Sequence, residues 1–276
     1  SYPPRALKDS FDSGQDRWRG PSSVVLSTSS DRIEGTGVLS VEYSSLSPGQ
    51  MIELEPAEPF PIAGFPIRAS LFAKGKLKNT QLIFKDGKGQ ELVLNLGPAA
   101  ASQYSQLSVD WSRDVETTVV MPLFLAGIRL YPGDSAGKVF LDNLNSQTIT
   151  WQAADATGTA GQRFNLHFAF ESEFALENFT AEATAYQNGT PVSTGRRTVS
   201  GREISGTVSL GPLSPGVYEL VWSGIEGGFR FSLPPMRLVV VNQKRPVAGK
   251  PFFGLQTHYA QFKGRLPDNL DLVVQS

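Results

Sequence analysis

The sequence predicts an all-β protein made of two consecutive β-sandwiches. Short runs of alternating apolar and polar residues recur along the chain and are separated by turn residues, with 27 Gly and 19 Pro in total. Residues 11–144 contain no stretch with convincing helical periodicity. A chain of 276 residues has room for two domains. We therefore expect two sandwiches followed by a short β/α segment.

The overall charge and the absence of cysteine exclude several classes of function. With 25 Lys and Arg against 26 Asp and Glu, no basic excess favours nucleic acid as a partner. No apolar run approaches the roughly 18 residues of a membrane span. The absence of Cys excludes disulfides, thiolate metal sites and a Cys nucleophile.

The first module is expected to cover residues 1–147. Within the strand at 66–73, Ile67, Ala69, Leu71 and Ala73 share one face, and Arg68, Ser70 and Phe72 share the other. The Gly-rich segment 85–89 is typical of a hairpin connection. The predicted strands are 24–27, 38–43, 51–54, 66–73, 82–84, 91–96, 105–109, 119–124, 127–131 and 139–144. So many short strands favour a two-sheet sandwich.

The second module is expected to cover residues 148–243, after a short polar join at 145–147. Asn188-Gly189 is the strongest hairpin signal in the chain, and Pro215-Gly216 marks another turn. The predicted strands are 149–151, 163–170, 180–186, 191–197, 204–210, 213–222 and 238–241. About seven strands in roughly 95 residues predict an immunoglobulin-like sandwich without its disulfide.

Three motifs of the first module resemble those of jelly-roll, galactose-binding-like carbohydrate-binding modules. Phe11-Asp12-Ser13-Gly14 followed by Trp18 resembles their opening segment. Gly35–Val41 resembles their second strand, and Gly137–Leu144 resembles their closing strand. The order and spacing of all three agree with that family. The resemblance implies a jelly roll whose partner is a polysaccharide or oligosaccharide.

The same resemblance implies a structural Ca²⁺ where the first and last strands meet. Asp12 and Asp142 match the motif positions that supply carboxylates, and the loop beginning at Glu34 would add further oxygens. In the alternative interpretation, Asp12 closes a turn and Asp142 is a solvated residue at a strand end.

Carbohydrate recognition requires aromatic faces for stacking and planar polar side chains for hydroxyl groups. Trp111 is the best candidate for an exposed aromatic residue, whereas Trp18 is assigned to the core. The candidate binding residues are Arg68, Phe72, Gln81, Trp111, Arg129 and Tyr131. In the alternative interpretation, aromatic residues on strands belong to the core, and the module is a spacer that binds no sugar.

The segment Leu213–Leu220 resembles the Ig-like linker domains that precede catalytic barrels in bacterial polysaccharide-degrading enzymes. In that family the tyrosine packs in a corner beside the turn, so Tyr218 is expected to be structural. His167 lies on the polar side of an alternating strand without a second His nearby, and we expect it to be solvated or hydrogen-bonded.

Residues 244–276 are expected to form a linker and the start of a (β/α)₈ barrel. An apolar strand, Phe252–Thr257, is followed by His258 and by a helix start at Pro267-Asp268. This segment resembles the first barrel strand of clan-A glycoside hydrolases, which implies a catalytic barrel in cis beyond Ser276 and a substrate contact by His258. Alternatively, the segment is an unrelated strand and helix that docks on the second module.

The function predicted from the sequence is the non-catalytic accessory region of a secreted or periplasmic bacterial glycoside hydrolase. The chain has no plausible catalytic carboxylate pair, so whether it is itself an enzyme stays open. One alternative is a structural or adhesion protein of the bacterial surface with no enzyme attached. Another is a self-contained hydrolase with its site between the two sandwiches.

Overall fold

The computed structural model describes residues 2–33, 35–111, 117–153 and 156–242, and in these ranges it confirms the all-β prediction. They contain eighteen strands and one helical turn, α1 (Gly14–Arg17), so no helix there is long and apolar enough to cross a membrane. The predicted β/α segment lies outside the described residues. The strands are β1 (Trp18–Arg19), β2 (Val24–Ser29), β3 (Val38–Tyr43), β4 (Ile52–Pro56), β5 (Phe60–Pro61), β6 (Phe65–Lys74), β7 (Leu77–Lys85), β8 (Glu91–Asn95), β9 (Ser105–Asp110), β10 (Thr118–Val120), β11 (Phe124–Pro132), β12 (Gly137–Ala153), β13 (Ala156–Thr159), β14 (Phe164–Gln187), β15 (Thr190–Leu210), β16 (Gly216–Glu226), β17 (Phe229–Ser232) and β18 (Met236–Val241).

The first sandwich packs two antiparallel sheets face to face. One sheet has the order β1-β4-β11-β7-β8, with β5 paired to β11. The other consists of β2, β3, β12, β6 and β9 in neighbouring pairs. The apolar face predicted for β6 is confirmed, since Ile67, Ala69, Leu71 and Ala73 are all buried. Trp18 is also buried, as predicted, and its Nε1 donates to Asp9.

Strand β12 runs without interruption from the first sandwich into the second. Its residues 140–149 pair with β6, and its residues 149–153 pair with β14. The polar join predicted at 145–147 lies within this strand and pairs with β6. Asn145 and Gln147 are exposed on one side of the strand, whereas Ser146 on the other side is half-buried and its hydroxyl donates to the Leu7 carbonyl at 3.1 Å.

The second sandwich is built around two long strands, β14 and β15. Their hairpin turn is the predicted one, and Asn188 and Gly189 adopt positive φ angles of 51° and 76° there. Asn and Gly tolerate this left-handed conformation better than other residues. Strand β14 also pairs with β12 and with β16, and β16 pairs with β17 and β18. The register of β14 with β15 is irregular from Glu171 to Phe179. Residues 168–172 of β14 pair with β12, and residues 180–186 pair with β16.

An aromatic cluster joins the two sandwiches, and we call it the aromatic seam. It consists of Phe65 and Trp111 from the first sandwich and Phe229 and Phe231 from the second, all at most 1% exposed. The Phe65 ring stacks on Phe231 with centroids 5.1 Å apart and on Phe229 at 4.5 Å. Trp111 meets Phe65 edge-on at 5.0 Å. The buried apolar residues of both sandwiches therefore form one continuous core.

Backbone hydrogen bonds reinforce the aromatic seam. Strand β10 pairs in parallel with β17, and the Met121 amide donates to the Ser232 carbonyl at 2.8 Å. A single strand had been predicted at 119–124. The structure instead ends β10 at Val120 and begins β11 at Phe124, because Pro122 has no amide hydrogen to donate to a ladder. The interruption allows β10 to leave the first sandwich and pair with the second.

A carboxyl group at the seam makes stability depend on pH. Glu226 ends β16. Burial is the main cause that raises the pKa of Glu226, and the charge of Asp110 adds to the shift. A backbone hydrogen bond with Glu177 and the charge of Arg68 act in the opposite direction. The folded state holds the Glu226 proton more tightly than the unfolded state does. The stability that this proton contributes is therefore fully present below the pKa of the unfolded state, and it is lost as the pH rises through the pKa of the folded state.

We expect Glu226→Gln to raise the melting temperature at pH 7 and to change it little at pH 4. Glutamine keeps the shape of the side chain but removes the charge that costs stability above the folded pKa. Melting curves between pH 4 and pH 8 measure the effect, with Glu219→Gln as an exposed control on the same strand. Equal shifts at both pH values would contradict the assigned cause.

Candidate functional site

The outward side of the first sheet carries a continuous set of polar side chains, which we call the polar face. Strand pairing places Glu53, Arg129, Gln81 and Asn95 side by side across β4, β11, β7 and β8. Residues that alternate with them, such as Leu82 and Leu130, point into the core. The polar face comprises Arg19, Glu53, Glu55, Asn79, Gln81, Ile83, Lys85, Glu91, Val93, Asn95, Gly127, Arg129 and Tyr131.

A chain of hydrogen bonds orders one half of the polar face. The Tyr131 hydroxyl donates to Gln81 Oε1 at 3.1 Å. Gln81 Nε2 donates to Asn95 Oδ1 at 2.7 Å, and Asn79 Nδ2 donates to the same oxygen at 3.1 Å. These contacts hold an aromatic ring and three planar amides in fixed positions, with amide hydrogens left for other partners.

The other half of the polar face is organised by Arg129. Its Nη1 donates to Glu91 at 2.8 Å and its Nη2 donates to Glu53 at 3.2 Å. The hydrogen bonds to Glu91 and then Glu53 are the main causes that raise the pKa of Arg129, so the guanidinium stays charged. Between Arg129 and Glu91 lies one row of cross-strand neighbours, which contains Ile83. The Arg129 side chain therefore extends across the Ile83 row to reach Glu91.

The row beneath Arg129 is apolar and accessible at its edge. Ile83 is 1% exposed although it faces outward, whereas Val93 beside it is 41% exposed. Gly127 completes the row, and a Cβ atom there would lie 2.6 Å from the Leu54 carbonyl oxygen. Glycine is therefore required for the close approach of β4 and β11. The polar face thus combines an aromatic ring, amides, cationic and carboxylate side chains, and an apolar edge.

Arg68 and Phe72 lie on β6, in the opposite sheet of the sandwich. Because the two sheets pack face to face, their outward sides point in opposite directions. Arg68 donates to Asp110 at 2.8 Å and to Gln147 at 3.3 Å, and its guanidinium lies 4.1 Å from the ring centroid of Phe174. The six residues predicted to bind carbohydrate therefore do not form one site, and Arg68 connects the two sandwiches.

The prediction that Trp111 is an exposed aromatic residue is wrong. Trp111 is fully buried in the aromatic seam, in contact with Phe65, Phe84 and Phe229. Polar neighbours in the sequence suggested exposure. The partners that bury the ring come from distant parts of the chain, which local sequence does not reveal.

The Asp12 carboxylate accepts hydrogen bonds from a distant loop and from the nearby Ser10. One carboxylate oxygen accepts hydrogen bonds from the backbone amides of Thr36 and Gly37, and the other accepts from the Ser10 hydroxyl at 2.8 Å. These hydrogen bonds, led by that from Thr36, lower the pKa of Asp12 to about 2.

Asp142 is fully buried, so the alternative of a solvated residue at a strand end is wrong. Its Oδ2 accepts from the Ile33 amide at 2.7 Å, so Asp142 and Asp12 stabilise the same loop. Within the described ranges no group of three or more Asp, Glu or His side chains is arranged to hold a metal ion. Glu34 and His258 lie outside the described residues. The predicted calcium site therefore stays a prediction, since Glu34 is one of its three predicted ligands.

Two residues of the second sandwich behave as the sequence predicts. The Tyr218 ring is buried, and its hydroxyl donates to the Ser214 carbonyl at 2.8 Å, which secures the turn before β16. His167 is exposed on β14, and its Nδ1 lies 3.2 Å from the Thr207 hydroxyl. Both contacts are structural.

Three participants in the hydrogen bonds of the polar face were not predicted from the sequence: Glu53, Glu91 and Asn95. Alternation within β4 and β8 already indicates that these side chains share the outward side of their strands. What local sequence does not reveal is the strand order, which brings both glutamates to one arginine.

Comparison with known proteins gives structural similarities only, since no family model and no curated protein matches the chain. A CBM61 carbohydrate-binding module in complex with β-1,4-galactotriose is 14% identical over 49% of this chain and 92% of its own, with a TM-score of 0.35. A DUF4785 family protein from Legionella pneumophila is 10% identical over 88% of this chain and 70% of its own, with a TM-score of 0.26.

A β-glucuronidase from glycoside hydrolase family 2 is also similar to the chain. It is 9% identical over 87% of this chain, with a TM-score of 0.26, and the match spans 31% of the enzyme. The structural neighbours thus include a carbohydrate-binding module and a glycoside hydrolase. Their identities and TM-scores are too low to transfer a ligand or an activity to this chain.

Proposed function

We propose that this chain binds carbohydrate through the polar face of its first sandwich. The observation that carries the proposal is the ordered set Tyr131, Gln81 and Asn95, in which an aromatic ring adjoins planar amides on an accessible sheet. Rings of this kind stack on the C–H faces of sugars, and amides pair with hydroxyl groups. The sequence resemblance to jelly-roll carbohydrate-binding modules supports the same function.

The second sandwich is proposed to hold the binding face in a fixed orientation. Strand β12 passes from one sandwich to the other without a break, and the aromatic seam packs the two together. A rigid spacer of this kind suits an accessory region that presents polysaccharide to an enzyme. The parent protein would be a secreted or periplasmic bacterial glycoside hydrolase whose barrel follows Ser276. The reading frame tests this part, because further β/α units with two catalytic Glu residues are expected after Ser276.

Tyr131→Ala is expected to weaken binding of the best-retained polysaccharide by about tenfold or more, because both the stacking ring and the hydrogen bond that orients Gln81 are lost. Affinity electrophoresis against a panel of soluble galactan, xylan, mannan and β-glucan identifies the polysaccharide, and calorimetry measures the affinity. Tyr2→Ala is the matched control, since the Tyr2 side chain is 51% exposed and lies outside the polar face.

Two results would count against carbohydrate binding at this face. The first is that the unsubstituted chain is retarded by none of the polysaccharides. The second is that Tyr131→Ala and Tyr2→Ala bind equally well while both remain folded by circular dichroism. The second result would place any binding elsewhere on the molecule.

Calcium binding at Asp12, Glu34 and Asp142 stays a prediction of the sequence resemblance. The two aspartates already accept backbone hydrogen bonds from the 33–37 loop, which explains their positions without an ion. Elemental analysis and melting curves with and without a chelator test the prediction. An unchanged melting temperature would remove it.

A second candidate function is that of a structural or adhesion protein of the bacterial surface. The observation that favours it is the aromatic seam, because a shared core makes two sandwiches into one stiff unit whether or not sugar binds. A reading frame that continues into further sandwiches, together with no glycan binding, would support this function over the first.

A further inference from the structure

A polar cleft of about 340 Å³ lies where the two sandwiches meet, and we call it the junction cleft. It is lined by residues 6–8 of the N-terminal segment, residues 145–148 of β12 and Glu173 of β14. The lining thus comes from the first sandwich, from the strand that both sandwiches share and from the second sandwich. Small-molecule sites have volumes of roughly 300–1,000 Å³ and often lie between domains, so the junction cleft has the size and position of such a site.

The junction cleft occupies a gap in the strand pairing along one edge of β12. Leu144 exchanges two backbone hydrogen bonds with Asp9 of the N-terminal segment, each 2.8 Å long. Arg5 of the same segment is paired away from β12, and the pairing of β12 with β14 begins only at Ile149. Among the described residues, no strand therefore pairs with residues 145–148 on this edge.

Side chains, rather than a neighbouring strand, satisfy the backbone amides of this edge. The Ser146 amide donates to Asn145 Oδ1 at 2.9 Å, and the Thr148 amide donates to Glu173 Oε2 at 2.7 Å. The Ser146 hydroxyl donates to the Leu7 carbonyl, which holds the N-terminal segment beside the edge. A peptide that added a strand here would have to break both amide contacts. A ligand of the junction cleft is therefore recognised by side chains and not by backbone pairing.

The side chains that line the junction cleft offer both donors and acceptors. Since Asn145 Oδ1 accepts from the Ser146 amide, the Asn145 NH₂ group remains for a ligand. Glu173 keeps its second carboxylate oxygen, and Lys8 takes part in none of the ion pairs between described residues. Lys8 and Glu173 are the charged residues of the lining, and their charges balance. Hydroxyl groups both donate and accept, so a polyhydroxylated ligand can satisfy all of these groups together.

We propose that the junction cleft binds one or two sugar units, at a second site separate from the polar face. The polar face belongs to the sheet β1-β4-β11-β7-β8, whereas β12 lies in the opposite sheet. A sugar held by Lys8 and Glu173 contacts both sandwiches, and it stabilises their joined arrangement because it binds only the folded chain. The proposal extends the proposed carbohydrate binding to a second site and does not require the polar face to bind.

Amide NMR spectra of the isotope-labelled chain locate the binding. The ligands are galactose, xylose, cellobiose and galactobiose, with glycine and glutamine as zwitterionic comparisons. At least one sugar is expected to shift the backbone amide signals of Ser146 and Thr148 and to raise the melting temperature. If no sugar shifts these two signals, or if only the amino acids do, the proposal is overturned. Binding at the polar face is judged separately, from the signals of Tyr131 and Gln81.

Glu173→Gln tests whether the carboxylate of the junction cleft takes part in the binding. Glutamine keeps an acceptor for the Thr148 amide but replaces the second carboxylate oxygen with a donor, so a sugar hydroxyl loses its charged acceptor. The affinity for the best-bound sugar is expected to fall about tenfold. Glu171→Gln is the matched control, because Glu171 is exposed on the same strand and does not line the cleft. Equal affinities of the two variants overturn the proposal.

Discussion

Phe65→Ala is expected to lower the free energy of unfolding by about 3 to 5 kcal/mol, the loss typical of a large aromatic residue removed from a core. Phe65 is fully buried and stacks on Phe229 and Phe231 of the other sandwich. The substitution therefore removes ring contacts on both sides of the aromatic seam and leaves a cavity that the sheets cannot close. We expect both sandwiches to lose stability together.

Chemical denaturation followed separately by tryptophan fluorescence and far-UV circular dichroism measures this effect. The control is Val25→Ala, because Val25 is 66% exposed on an edge strand and should change stability by less than about 0.5 kcal/mol. A loss of stability confined to one of two separate transitions would show that the seam does not couple the sandwiches.

Asp86→Ala is expected to lower the free energy of unfolding by about 3 kcal/mol, because three backbone amides lose their charged acceptor. Asp86 is 3% exposed. Its Oδ1 accepts from the amides of Lys88 and Gln90 at 2.9 Å, and its Oδ2 accepts from the Val120 amide at 3.2 Å. The carboxylate therefore holds the β7–β8 hairpin and connects it to β10, which pairs with the second sandwich.

Asp86→Asn is the graded comparison for this prediction. Asparagine keeps one acceptor oxygen for the hairpin amides and loses the contact with Val120, so the expected loss is smaller, about 1 kcal/mol. Asp134→Ala serves as the exposed control, since the Asp134 side chain is 52% exposed and its ion-pair partner Lys76 is 63% exposed. Equal stability of Asp86→Ala and Asp134→Ala would mean that the hairpin amides find other acceptors.

Much of the fold could be predicted because the alternation of strands is a local property. In β6 the inward and outward residues are as predicted, and the Asn188-Gly189 turn forms because these two residues tolerate positive φ. The buried position of Tyr218 agrees with what the resemblance to Ig-like linker domains implied. The helical turn α1 was not predicted, since four residues are too few to show a helical period.

The candidate site could be predicted only in part. Gln81, Arg129 and Tyr131 do share one face, because alternation places each of them on the outward side of its strand. Alternation does not say which sheet a strand joins. Arg68 and Phe72 satisfy the same local pattern and lie on the opposite sheet, where Arg68 contacts Phe174 of the second sandwich.

The sequence by itself determined the all-β class, the inward and outward faces of the strands, and their principal turns. The tertiary structure alone decided that β12 joins both sandwiches, that Trp111 is buried, and that Glu53 and Glu91 meet at Arg129. The physical reason is the separation along the chain over which each effect acts. Backbone propensity and alternation act between neighbouring residues, whereas burial and charge pairing depend on which distant strands become neighbours in a sheet.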